Sequence, residues 1–490
     1  MASKEGEYRI NISSRHERGG EKESSPWMQR FPLDLLSIVF FLAVDYALRR
    51  LFTWLEIPFP SNLAGMLLVL ATLLVLNATR PAVALRAFTF LMRGTTFLKI
   101  WLPVWFVPNL INLPLMDVGQ PVRIAAVILC GMLFTLLTTA GVVTHVKSLA
   151  QRATASERQP LTVSIPERTS KKGASSSAAA SLPFSARLSM CLAAGMCVCF
   201  LLAVALWWCD DVIRSSGARS AVVWQSHIRL EKGFLLLLIL CTYVFGARLP
   251  PRVTKIAHPL LTCAFLTWGG MLLYAVAVPG PPPFDRSREW WRLLNGLVVK
   301  APQSIEQFGA GNFLLMFLGP AVVSFGVSIF DQRVLIRENA AAISSGVAYA
   351  TVGSLLFTAL FTRAINLEHD CRLCMLPRSV TIPLALEINK LIGGEAGLVV
   401  SFCLVTGLLG SLFGKQILSA CRVTDPPTRG LSLGAASHGL GAAALNDEKE
   451  AFPFAATSMA LNGACSAILI AIPFVRTAVL ALAGCEAACE

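Results

Sequence analysis

The sequence predicts an all-α, polytopic membrane protein with about twelve transmembrane elements, and three observations carry that prediction. Of 490 residues, 55% are hydrophobic and only 14% are charged, and the mean hydropathy is +0.63. Soluble domains carry roughly 25% charged residues, so this chain has too few to coat a water-exposed globule. Its apolar residues gather in runs of about 17–25, the length a helix needs to cross roughly 30 Å of hydrocarbon. Short basic pieces separate the runs, the pattern of loops kept on one side of a bilayer. A soluble enzyme, a disordered scaffold and a secreted disulfide module are excluded.

The chain opens with residues 1–32, which lack an apolar signal core. Glu5, Glu7, Glu17, Glu21 and Glu23 are interleaved there with basic residues, unlike an acid-poor transit peptide. This segment reads as a disordered, solvated tail. Four spans follow over 33–145, at 33–52, 62–78, 95–112 and 121–145. The stretch 146–187, with RTSKKGASSSAAAS at its centre, cannot bury a core and reads as a flexible basic linker. Apolar segments resume over 188–490, at 188–208, 233–247, 256–278, 312–330, 339–362, 378–392, 396–418, 430–445 and 455–484, and several are broken by Gly or Pro.

The formal net charge of +13 reflects these loops rather than a nucleic-acid-reading face. Arg80, Arg86, Arg93 and Lys99 follow the second span without an acid, the linker nets +5, and Arg248, Arg252 and Lys255 form a third basic loop. All three share a side with the N-terminus, which is therefore expected to be cytosolic, or stromal in an organelle. Of 14 cysteines, most fall in apolar runs, where a thiol behaves as a small hydrophobe. The stretch His369–Cys374 has metal-ligand residue types but no second CxxC, and no metal or cofactor is called for. No nucleotide-binding, hydrolase or metalloprotease motif is found, so nothing argues for an enzyme.

Function is carried by interrupted apolar segments. Leu318–Gln332 (LGPAVVSFGVSIFDQ) can be laid over Leu433–Asp447 (LGAASHGLGAAALND), suggesting an inverted repeat with a broken helix in each copy. In hydrocarbon, an unsatisfied backbone N–H costs several kcal/mol, so a broken helix survives only where it lines a protected cavity or a ligand. A half-helix N-terminus offers free N–H donors to an anion such as a carboxylate. Gly434, Ser437, His438, Gly439 and Gly441 therefore form the leading candidate site, the alternative being a Gly/Ala packing face. Gly319, Pro320 and Ser324 are candidates from the first copy. Arg378 either attracts a carboxylate or anchors an interface. Glu387, with Lys390, forms a buried pair or proton relay, or marks the end of a span.

These stretches carry a resemblance. LSLGAASHGLGAAAL with EAFPFAA, LPRSVTIPLALEINKLIGG and FLGPAVVSFGVSIFDQRVLI resemble the LrgB/CidB family. LEIPFPSNLAGMLLVL and LPVWFVPNLINL resemble the LrgA/CidA family, with Ser61 and Asn62 where Gly-Ser is more usual. A chain with both halves in this order is similar to the plastidial glycolate/glycerate translocator family. The resemblance implies a secondary carrier for small 2-hydroxy-monocarboxylates in a plastid inner envelope; His438, whose imidazole titrates near neutrality, is the residue expected to couple carriage to protons. It implies an accessory N-terminal bundle and a C-terminal transport unit. The expected partners are a small carboxylate, protons, lipid and a second copy in a homo-oligomer, with no nucleic acid. The other reading is a holin-like or murein-hydrolase-regulator-type membrane protein without specific carriage.

Overall fold

The computed structural model describes residues 27–57, 59–115, 119–157, 184–214, 221–254, 257–278, 286–299, 307–445 and 447–485. Of the expected disordered tail over 1–32, residues 1–26 lie outside these residues and 27–32 are helical; of the expected 146–187 linker, 158–183 lie outside, whereas 146–157 and 186–187 are helical. The described chain is helical throughout: α1 Trp27–Trp54, α2 Ser61–Thr79, α3 Pro81–Ile111, α4 Pro121–Glu157, α5 Ala186–Arg214, α6 Ala221–Ala247, α7 Pro251–Thr254, α8 Pro259–Ala277, α9 Arg286–Leu297, α10 Ala310–Leu315, α11 Leu318–Asp331, α12 Arg333–Glu338, α13 Ala340–Ala364, α14 His369–Met375, α15 Ile382–Ile392, α16 Ala396–Ala420, α17 Pro426–Ala443, α18 Phe452–Ala471 and α19 Pro473–Ala483. Ten described spans are long and apolar enough to cross a membrane. These are multi-pass membrane helices, as the composition requires.

Three further boundaries differ from the sequence reading. The basic stretch after the second span is not a loop. Only Arg80 breaks the helix, between Thr79 and a Pro81 that starts α3, and residues 81–99 are helical. Proline suits that first position because its missing N–H has no intrahelical partner there. Arg93 on α3 pairs with Asp34 of α1 at 3.0 Å, so part of the charge taken as a topology signal is spent within the bundle. At the far end, the single segment expected over 455–484 is two helices, split at Ile472, where Pro473 begins α19. The segment expected at 378–392 is not a span but half of a hairpin.

Two hairpins enter the fold from opposite ends. In α17 the backbone leaves helical geometry at Ser437 (φ −138°, ψ 19°) and His438 (φ 42°, ψ −139°). The chain then turns back. Arg429 near the start of α17 pairs with Glu448 beyond its end at 2.7 Å, and Lys415 on α16 pairs with Asp447 at 2.7 Å. The first arm of α17 and α18 therefore run in the same direction, in close contact. A β-carbon on Gly430 or Gly434 would lie 2.3 Å from the carbonyls of Ala451 and Ala455 respectively. Small residues at four-residue spacing let two helix backbones meet.

The second hairpin is α14–α15. It begins beside Glu395, whose N–H donates to Cys374 Sγ at 3.2 Å, reaches its tip at Pro377–Thr381, and returns to a left-handed Gly393 (φ 78°). Helix α16 spans the distance between the two. Cys403, seven residues into α16, donates from Sγ to the Pro377 carbonyl at 3.4 Å and accepts from His438 Nε2 at its own carbonyl at 2.9 Å. At 1.5 Å per residue, that is about 10 Å from one end of α16. Gly410, against which Ser437 packs, is ten residues, or about 15 Å, from the other end. The two tips meet midway along the helix.

The hairpin's outer end is pinned by Asp425, the N-cap of α17, which accepts from the Thr428 N–H at 3.1 Å and from Lys147 of α4 at 2.5 Å. Burial alone would raise the Asp425 carboxyl, but Lys147 and Thr428 outweigh it and hold the group below its ordinary value. A depressed carboxylate contributes stability at neutral pH and loses it as pH falls through that lowered value. Asp425→Ala should therefore cost about 1 kcal/mol at pH 7, the usual worth of a cap. In detergent melts the gap from the unmodified protein should close as the pH drops below the ordinary carboxylate range. A constant gap down to strong acid would show that the charge plays no part.

Candidate functional site

A cavity of about 540 Å³ reaches both hairpin tips. Thr381 and Pro383 come from the α14–α15 tip, His438 and Gly439 from the break in α17, and Lys99 and Phe106 from α3. His258, Phe452 and Met459 also line it. The lining includes three basic residues, Lys99, His258 and His438, and no Asp or Glu. Its walls are otherwise mostly apolar, so the Lys99 cation acts in a low-dielectric space where it is strongly felt.

The break at His438 has a structural cause on α16. Gly407 and Gly410 leave the room it occupies: a β-carbon on Gly407 would meet the His438 imidazole at 2.6 Å, and one on Gly410 would meet Ser437 Oγ at 1.8 Å. A carbonyl carries no proton, so the His438–Cys403 contact fixes the hydrogen on Nε2 and leaves Nδ1 as an acceptor. Ser437 Oγ and Thr381 Oγ1 are buried and have no hydrogen-bond partner. Buried hydroxyls are normally satisfied; that of Thr381 lines the cavity, while that of Ser437 faces Gly410 of α16.

The candidate residues separate into groups. His438 and Gly439 line the cavity, with Ser437 beside them. Gly434 and Gly441 serve backbone packing; a β-carbon on Gly441 would meet that of Ser437 at 2.6 Å. Gly319 makes room for the Asp45–Arg49 pair of α1; a β-carbon there would lie 2.4 Å from the Asp45 carboxylate and 2.5 Å from the Arg49 guanidinium. Pro320 is buried in α11, and Ser324 donates to its own helix at the Ala321 carbonyl at 2.7 Å. The residues that the 115-residue overlay aligns with Ser437 and His438 are Val322 and Val323, which are helical and buried. Glu387 pairs with Lys390 at 2.6 Å, away from the cavity. Arg378 is fully buried on the far face of its hairpin tip, against α4 and α13. The cavity also takes in Lys99 and Thr381, which the sequence does not single out: charge counting puts the first in a loop, and the second is an unremarkable hydroxyl.

The LrgB-like family matches residues 239–475. Over 457 residues, 92% of this chain and 81% of the relative, the sequence is 31% identical to the plastidal glycolate/glycerate translocator 1, chloroplastic, of Arabidopsis thaliana. It is 29% identical over 163 residues to the holin-like protein CidB of Staphylococcus aureus strain N315, covering 33% of this chain and 71% of that one. It is 31% identical over 131 residues to the uncharacterized protein YxaC of Bacillus subtilis, covering 27% of this chain and 57% of that one. No solved structure matches.

Proposed function

The chain belongs to the family of the plastidal glycolate/glycerate translocator, and on that premise we propose that it is a secondary carrier for small 2-hydroxy-monocarboxylates. The observation that carries this reading is the helix break at His438, which opens onto a basic cavity free of acids. An isolated carboxylate pays a large desolvation cost in the membrane interior, so its site must supply donors and positive potential. Lys99 supplies charge, the N–H groups after the break supply donors, and Thr381 offers a hydroxyl to the substrate's own. Nδ1 of His438 accepts a proton with the substrate, so the pair crosses with less net charge. The two tips, entering from opposite ends, give each side of the membrane its own gate around one site. The relative's name supports glycolate and glycerate as substrates and a plastid as the location.

Purified protein in liposomes should take up labelled glycolate saturably, and glycerate should compete. Nonselective leakage of unrelated solutes would instead support the holin-like reading carried by the name of the CidB relative. Lys99→Met should raise the KM for glycolate about tenfold, the worth of roughly 1.4 kcal/mol of binding. An unchanged KM would remove Lys99 from the site. Because α3 supplies Lys99, this reading makes the N-terminal half part of the binding wall rather than a scaffold alone.

A further inference from the structure

We propose that Arg378 is the centre of a second anion site, behind the hairpin tip, that binds one compact monovalent anion, a carboxylate or a halide. The charge pattern of the described interior points there. Each other buried charged side chain has an opposite partner: Asp45 with Arg49 at 2.8 Å, Glu231 and Glu289 with Arg292 at 2.6 Å and 2.7 Å, Glu387 with Lys390 at 2.6 Å, and Arg429 with Glu448 at 2.7 Å. Arg378 is 0% exposed and has none. An uncompensated charge in a membrane interior is strongly disfavoured, and a bound anion is the compensation the chain itself lacks.

The surroundings are built for the guanidinium. Its Nε donates to Thr358 Oγ1 at 3.2 Å, and a second nitrogen reaches Thr135 Oγ1 at 3.5 Å, the limit of a hydrogen bond. The remaining terminal nitrogen has no partner. One turn along α4, Thr139 Oγ1 is also buried and unpartnered. Gly131 leaves space for the fork, since a β-carbon there would lie 2.3 Å from it. An arginine fork and a free hydroxyl are the donor set that recognises a carboxylate. The site adjoins the cavity through Pro377, Cys403 and His438, which form a hydrogen-bonded chain. The proposal depends on the carrier reading only for which anion occupies the site.

The test uses the full chain in detergent and in liposomes. Melting temperatures are followed against sodium chloride and sodium glycolate, with sodium isethionate, a bulky sulfonate, holding ionic strength constant. A saturable rise in the unmodified protein should persist in His438→Ala and need at least tenfold more anion in Arg378→Gln. Arg378→Lys should keep part of the response, and Thr139→Val should shift its midpoint several-fold. A response to chloride alone assigns the site to an inorganic anion, and one to glycolate assigns it to the substrate. No saturable rise in the unmodified protein, or an unaltered one in Arg378→Gln, overturns the proposal. Should that variant fail to fold, unaltered responses in Arg378→Lys and Thr139→Val overturn it equally. An Arg378-dependent rise in a protein that transports no carboxylate would sink the carrier reading and leave the site standing.

Discussion

Gly410→Val should reduce glycolate uptake at least tenfold while the protein still inserts and stays helical. Gly410 lies on α16 against the broken tip, and even an alanine β-carbon would fall 1.8 Å from Ser437 Oγ and 2.2 Å from its β-carbon. Overpacking of this kind typically costs about 1–3 kcal/mol. Here the strain falls on the two residues that depart from helical geometry, so the tip moves before α16 does. Displacing His438 from the Cys403 carbonyl would close the cavity at the point where both hairpins meet. The discriminating experiment is a rescue. Gly410→Ala alone should impair uptake, and Gly410→Ala with Ser437→Gly should recover most of it, because the offending side chain is gone. Coupling of this sort is expected only between residues in contact. If the double variant is no better than the single one, α16 is not what shapes the tip.

The broken helix of α17 was legible in the sequence because a Gly-rich apolar stretch containing Ser and His has few uses in hydrocarbon other than packing or binding. Its counterpart was not. The overlay of 318–332 onto 433–447 selected α11, which runs unbroken past Val322 and Val323. The hairpin that faces the break is α14–α15, whose tip sequence, LPRSVTIP, contains no glycine. It is turned by two prolines and held by Cys374 against Glu395, a contact between residues 21 apart that no local pattern reveals. Lys99 was misread for a related reason. Charge counting treats a basic residue between apolar runs as a loop, yet Lys99 belongs to α3, with its exposed side chain on the wall of a cavity that exists only after folding. Nothing in the sequence sets Gly407 and Gly410 apart from packing glycines, because the side chains they accommodate come from another helix.

His438→Gly should abolish the pH dependence of uptake and reduce its rate tenfold or more, with little loss of stability. The backbone at His438 (φ 42°, ψ −139°) lies in a region that side-chain-bearing residues rarely adopt, at a cost of about 1–3 kcal/mol. Glycine removes that strain, which offsets the lost hydrogen bond to the Cys403 carbonyl, itself worth about 1 kcal/mol. The two readings of the residue therefore separate. A histidine kept for packing would make the glycine variant clearly less stable and leave its transport chemistry alone. A histidine kept to accept a proton at Nδ1 would make the variant about as stable and defective in transport. For the unmodified protein, co-entry of a proton predicts faster uptake as the pH on the substrate side falls, and the variant should show a flat profile. His438→Asn separates charge from geometry, since asparagine keeps a side chain and an N–H donor at this backbone position but takes up no proton. It should fold normally and share the flat profile. If either variant retains the original affinity and pH profile, His438 only holds the tip against α16, and the proton enters elsewhere.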